Sequence, residues 1–269
     1  MKIIISHDID HLYVSEHFCD LIIPKFIVRS KIELLTGKIS FGEFFNRIGE
    51  LFSNKWNKIE ELIEFNKQHQ IPATFFVGVN NGLGLNYSVD KAAIAIKYIQ
   101  SQGCEVGVHG ISFDNLEAVQ KEFDTFEKII GHKEFGIRMH YLRNNPNTLN
   151  YLSQAGYLFD ATLPELKSSF SIANFTEFPV HIMDGWMMNK QKAWQANNLQ
   201  QAIDESKRLI DEGLKNNIDY FSILFHDRYF SNGFKTWKEW YIQLIEYLIH
   251  NNFEFVDYKM AISERKKNL

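Results

Sequence analysis

Short apolar runs alternate with longer stretches of helical periodicity along this chain, and that rhythm is the signature of parallel β/α units. The strand-like runs are KIIIS (2–6), ATFFVG (73–78), EVGVH (105–109), FGIRM (135–139) and YFSILFH (220–226). Weaker ones lie in YLFD near Asp160, TEFPVH near Pro179 and FEFVDY near Val256. Between them a helix follows Ser88, apolar at Ala93, Ile96 and Ile99, with Ser88 as N-cap and Gly103 as its stop. NNPNTLNYLSQAG sets Asn145 before Pro146 at a first helical position, with Gly156 just past the end. Further helices are expected over 116–130, 199–214 and 237–249. Seven or eight such units favour a closed or nearly closed α/β barrel over an open sheet.

The length, 269 residues, suits a single domain of that kind spanning 1–269, and 45% apolar residues supply a large core. A formal charge of −4 argues against a nucleic-acid binder, which needs a basic face. Cys19 and Cys104 have no partners at metal-ligand spacing and read as buried thiols of a reducing compartment. His and Asp interrupt the first apolar run at once, so no secretory signal is expected, and no stretch suits a transmembrane helix. A cytoplasmic location follows as the expectation.

Residues 11–70 break the rhythm as a helical insertion over the barrel mouth, apolar at Leu34, Phe45, Ile48, Leu51 and Phe52. Leu21, Ile22, Ile23, Phe26 and Ile27, interleaved with Lys25, Arg29 and Lys31, would suit an interfacial helix in peripheral contact with a membrane. Pro24 is expected to interrupt a helix there.

Parallel strands share one C-terminal face, and the chemistry-bearing residues sit at those ends. Asp8 and Asp10 follow the first strand, His109 ends another, Arg138 and His140 the next, Asp160 a weak one, and His226 with Asp227 a late one. Taken singly each has an ordinary structural explanation, such as a helix cap, a core histidine or an ion-pair partner. Together, a carboxylate and two imidazoles can hold a divalent ion with a position open for water. A second carboxylate can take a proton from that water, and a histidine opposite can protonate a leaving amine.

SHDID, ATFFVG, EVGVHG, GIRMHYLR, YLFDATL and ILFHD follow one another in an order that resembles the polysaccharide deacetylase family, the NodB-homology (carbohydrate esterase family 4) deacetylases. HDID, RMHYLR and LFHD resemble a divergent HD-x-D branch associated with bacterial surface-glycan loci. The resemblance implies a distorted (β/α)7-type barrel and a metal-dependent hydrolase that removes an N-acyl group, N-acetyl above all, from an amino sugar. By the same resemblance Asp8 matches the catalytic base, Asp10 and His109 metal ligands, Arg138 the residue that orients the base, and His226 the general acid. Asp160 falls in the motif whose acid tunes that histidine. The implied cofactor is one divalent ion, Zn2+ or else Co2+, Ni2+ or Mn2+. The implied partner is an acetylated amino sugar, free or linked to a nucleotide or lipid.

Two departures matter. The family's paired acids are adjacent, whereas Ile9 separates Asp8 from Asp10, so base and ligand could be exchanged. The family's second histidine ligand falls at Phe113, which leaves His140 or Asp114 as substitutes; His140 is favoured, and Asp114 reads as the cap of the helix that follows. His7 and His11, of opposite strand parity to the acids, read as supports of the site. His181, Trp186 and Tyr141 are candidate sugar contacts. Two alternatives stay open: a catalytically degenerate barrel that binds a glycan, and a D-x-D phosphohydrolase, which would want a late acidic pair where this chain has His226.

Overall fold

The computed structural model describes residues 1–172, 174–189 and 198–267. Nine strands form one sheet: β1 Lys2–Ile9, β2 Ala73–Val77, β3 Glu105–Gly110, β4 Ile137–Met139, β5 Phe159–Asp160, β6 Phe170–Ile172, β7 Phe175–Glu177, β8 Val180–Met183 and β9 Tyr220–Leu224. Their order is β6-β7-β5-β4-β3-β2-β1-β9-β8, parallel throughout except for the β6–β7 pair. The central strands are buried on both faces, which is why Ile3, Ile4 and Ile5 run without a polar residue between them.

The ends of this curled sheet are joined by the chain itself. Among the described residues β7 pairs only with β5 and β6, and β8 only with β9, yet just Phe178 and Pro179 separate them. Pro179 has no N–H for a ladder and breaks the strand there. Val180 N then donates across the seam to Leu163 O at 2.8 Å. Counting β7 and β8 as one bent strand gives seven parallel positions around a distorted barrel. FEFVDY contributes only an isolated bridge, Phe255 to Ile3.

Ten helices are described: α1 Ile22–Leu35, α2 Phe41–Glu50, α3 Ile59–Gln68, α4 Val89–Ser101, α5 Leu116–Ile130, α6 Thr148–Ala155, α7 Asp184–Met188, α8 Leu199–Lys215, α9 Lys235–His250 and α10 Tyr258–Lys267. Ser88 caps α4 through Lys91 N, and Gly131 and Gly156 end α5 and α6 at φ +82° and +97°, where a side chain would be strained. α6 starts later than Pro146 suggests, because Asn145 Oδ1 accepts from Asn147 N and holds a turn first. Asn115, not Asp114, caps α5, accepting from Ala118 N at 2.9 Å.

Within 11–70, α3 packs Leu62 and Ile63 into the core like the other barrel helices, whereas α1 and α2 form an added layer. α1 forms despite Pro24, which sits in its first turn, where the missing N–H has no intrahelical partner to lose. Among the described residues no helix is long and apolar enough to cross a membrane.

Candidate active site

β1 runs on through its polar end to Ile9, held to β2 by the register pairs His7–Phe75, Asp8–Phe76 and Ile9–Val77. Tyr87 stitches the two strand tops, its hydroxyl donating to Ile9 O and accepting from Gly78 N, each at 2.7 Å. Alternation along the strand then sorts the motif. Ile9 turns into the apolar layer, and Asp8 and Asp10 turn together into the barrel mouth. The spacer is what lets two carboxylates share one face.

Asp10 meets two imidazoles. Its Oδ1 lies 3.2 Å from His109 Nε2 and 3.3 Å from His140 Nδ1, and those two nitrogens are 2.9 Å apart. Each ring's other nitrogen faces a backbone carbonyl: His109 Nδ1 lies 3.1 Å from Arg138 O, and His140 Nε2 lies 3.3 Å from Leu83 O. With the ring protons assigned to those carbonyls, both inward nitrogens present lone pairs to each other and to a carboxylate. That grouping is repulsive unless a cation lies among them. A tetrahedral ion with bonds near 2.1 Å spaces its ligands by about 3.4 Å, close to these separations. The residues fit a divalent metal, and the nitrogen-rich set suits zinc. Burial opposes ionisation of Asp10, but the imidazoles of His109 and His140 beside it, which donate to it when protonated, hold its pKa well below the usual carboxylate range.

His140 reaches this cluster from a strained turn. β4 ends at Met139, and the next residues bend with Tyr141 at φ +58° and Leu142 at φ +52°. Left-handed backbone at two bulky side chains is unusual and marks a segment held by its surroundings. The turn leaves Tyr141 exposed on the rim with its ring 4.2 Å from that of His140. Asp114 is exposed and lies outside the cluster, and Phe113 lies under the Arg143 guanidinium.

Asp8 is held apart from that grouping. Its Oδ1 accepts from Arg138 Nη1 at 2.9 Å, while Oδ2 stands 3.8 Å from His109 Nε2. Arg138, fully buried, also donates to Ala161 O, Ser6 Oγ and Tyr258 OH, each at 2.8 Å. Burial would raise the Asp8 pKa, but Arg138, aided by His109 and His226, turns the net shift downward.

His226 follows β9 and stands across the mouth, with Nε2 3.8 Å from Asp10 Oδ2. Its partner corrects the sequence reading. Asp184, not Asp160, accepts from His226 Nδ1 at 2.9 Å and from its backbone N at 2.6 Å. Burial disfavours the imidazolium, but Asp184 more than compensates and raises the pKa well above the ordinary value. The proton of His226 is therefore present at neutral pH.

Asp160 instead takes Ala161 N and Thr162 Oγ1 and lies beside Glu177 in the β5–β7 register. Burial raises both acids, Asp160 to about 6 and Glu177 well above its usual value, the two carboxyls also opposing each other's ionisation. His181 lies outside the cavity over Asp10 and borders a separate surface cavity with Trp186: its Nε2 lies 2.9 Å from Lys167 O, Nδ1 accepts from Ser222 N, and its ring stacks on Phe221. His7 faces the helices, between Phe225 O and Asn66, whereas His11 lines the cavity and continues to His17 and Asp20 at 2.9 and 2.8 Å. Asp184 had one legible signal: in FPVHIMDG it stands just past the C-terminal end of β8, the end of the sheet at which the other site residues gather, whereas His181 is the second residue of that strand.

A cavity of about 440 Å3 opens over these groups, lined among others by Asp8, Asp10, His140, Asp184, His226 and the aromatic rims Tyr141, Trp186 and Tyr229. That volume is in the range of small-molecule sites.

The fold is that of the deacetylase barrels. The chain aligns with a Mycobacterium smegmatis protein described as a polysaccharide deacetylase over 99% of this chain and 91% of that one, at 16% identity and a TM-score of 0.63. It aligns with Puue allantoinase over 97% and 88%, at 13% identity and 0.61, and with a Pseudomonas aeruginosa PAO1 protein described as a polysaccharide deacetylase over 77% and 72%, at 18% and 0.56. No curated protein sequence matches the chain. Residues 52–159, from before α3 into β5, match the family model described as polysaccharide deacetylase. The chain therefore carries the polysaccharide deacetylase family's pattern over that segment, which includes His109, Arg138 and His140.

Proposed function

We propose that the protein is a metal-dependent carbohydrate deacetylase that removes an N-acyl group, N-acetyl in the first instance, from an amino sugar used in bacterial surface-glycan synthesis. One observation carries this reading: a carboxylate held by arginine, a carboxylate–bis-imidazole cluster and a carboxylate-bound imidazolium face one cavity. The family match supports a carbohydrate acyl group as the target.

Asp10, His109 and His140 would hold the metal, with Zn2+ favoured and Co2+, Ni2+ or Mn2+ as substitutes. When bound, the ion supplies Lewis acidity to the acyl carbonyl and to the attacking water. Asp8, kept ionised and oriented by Arg138, takes the proton from that water as it adds to the carbonyl carbon. His226, kept protonated and oriented by Asp184, gives its proton to the amine nitrogen as the C–N bond breaks. Carboxylate and free amino sugar are the products. Tyr141, Trp186 and Tyr229 offer aromatic faces to the sugar ring.

Acetate release from a panel of N-acetylated free, nucleotide-linked and lipid-linked amino sugars tests the reading on zinc-loaded protein. The expected result is release with at least one, and a fall in kcat of about 10²–10⁴-fold in Asp8→Asn with zinc content unchanged. Full activity in Asp8→Asn would overturn the base assignment. Tight sugar binding without release by any metal form would establish a glycan-binding module instead.

A further inference from the structure

Beside the catalytic cavity lies a second space of about 310 Å3 that shares Asp10, His11, Arg29, His140 and Tyr141 with it and adds Lys25 and Arg228. Arg228 is the unusual member. Its guanidinium carbon lies 4.0 Å from the Trp56 ring centroid and 4.5 Å from that of Phe26, and Nε and Nη2 are buried with no hydrogen-bond partner. Among the described residues no carboxylate forms an ion pair with it. The buried Glu33 already serves Arg29 at 2.8 Å and Arg47 at 2.6 Å, and Glu50 acts on Arg228 through its charge without an ion pair. A guanidinium with buried, unpaired N–H groups is costly unless an anion completes it. Planar, forked donors next to a flexible ammonium suit phosphate oxygens in particular.

We propose that Arg228, Lys25 and Arg29 form a phosphate subsite, and that the acylated amino sugar reaches the catalytic groups as a phosphate or diphosphate ester. Burial lowers the Arg228 pKa only to about 10, so the group remains cationic at neutral pH. This inference uses the proposed deacetylation to place the sugar, but its test does not depend on turnover. Calorimetric titration of the zinc-loaded protein with inorganic phosphate should show saturable binding that weakens at least tenfold in Arg228→Ala. The exposed Lys25→Ala, whose fold is not at risk, should weaken it about threefold. Since any phosphate bound at the metal contributes equally to all three proteins, equal affinities would overturn the subsite. A second arm compares wild-type kcat/KM on an N-acetylated sugar nucleotide, a lipid-diphosphate sugar and the free sugar. Preference for either phosphorylated form supports the subsite and identifies its source, and preference for the free sugar contradicts it.

A different observation points to where that substrate is met. On α1, Leu21, Val28 and Leu35 recur every seven residues with Ile32 between them, all exposed, and Phe41, Phe45 and Phe52 are exposed in and just after α2. Leu35 and Phe52 are each 85% exposed, and it is the gathering of such residues in one layer that marks an interaction surface. From residue 18 to 52 the exposed charged side chains are Lys25, Lys31 and Lys38, while Asp20, Glu43 and Glu50 are half-buried, in a chain of net charge −4. Apolar residues rimmed by lysine match the interface of an anionic bilayer. We infer that the α1–α2 layer docks on such a membrane. Co-sedimentation with vesicles of phosphatidylglycerol and phosphatidylcholine should recover the protein, with several-fold less on pure phosphatidylcholine and in Leu35→Asp/Phe45→Asp. Equal recovery of wild type and variant would overturn the inference, as would a patch found occupied by a second copy of the chain in light scattering.

Discussion

His226 and Asp8 are charged in opposite senses by their neighbours, of which the motifs placed Arg138 but not Asp184. Asp184 holds the imidazolium and Arg138 holds the carboxylate, so activity should be present above the depressed Asp8 pKa and lost as pH rises through the raised His226 pKa. Asp184→Asn keeps the shape but removes the charge, and its pH–rate profile should lose its alkaline limb at least about one pH unit earlier than wild type. An unmoved limb would show that another group sets it. At this scale the sequence was readable where alternation rules: D-x-D on one strand puts two acids on one face and Ile9 on the other. Polarity alone was a weaker guide, since His181 bonds to Lys167 and Ser222, and Asp160 Oδ1 to Ala161 N and Thr162 Oγ1, within the barrel wall.

Elements are joined at the site's back by polar bridges through otherwise apolar layers. Asn66 of α3 donates to His7 Nε2 on β1 and accepts from Tyr241 OH on α9, both at 3.0 Å. Burial lowers the His7 pKa to about 4, so the ring is neutral and needs that donor. Asn66→Ala strands both partners and should lower stability by about 2–4 kcal/mol in urea denaturation, with zinc binding retained in the folded protein. Helix ends were legible from Ser88, Gly103 and Gly156 because caps are local chemistry. The start of α6 and the continuity of α1 through Pro24 were not, because a turn hydrogen bond decided one and a first-turn position the other.

The whole barrel shows one further cost of gathering polar groups. Glu105, at the foot of β3, takes Thr74 Oγ1 and Tyr258 N but is otherwise buried, and its pKa rises from 4.5 to about 8. The unfolded chain releases this proton above about pH 4.5 while the folded one keeps it, so this group's contribution to stability falls between pH 4.5 and 8. Glu105→Gln should therefore gain on wild type by a few kcal/mol from pH 5 to pH 8 in parallel denaturant titrations, whereas a constant difference would contradict the buried proton. The seven-unit barrel was visible in the rhythm of runs, but the seam at Pro179 was not, because which strands pair across it depends on closure. The mouth assembled by that closure is the central claim, and metal stoichiometry tests it most directly. Wild type loaded with zinc and dialysed should retain about one ion per chain, and His140→Ala should lose it or bind it at least tenfold more weakly. Undiminished zinc in His140→Ala, or none in wild type, would contradict the site.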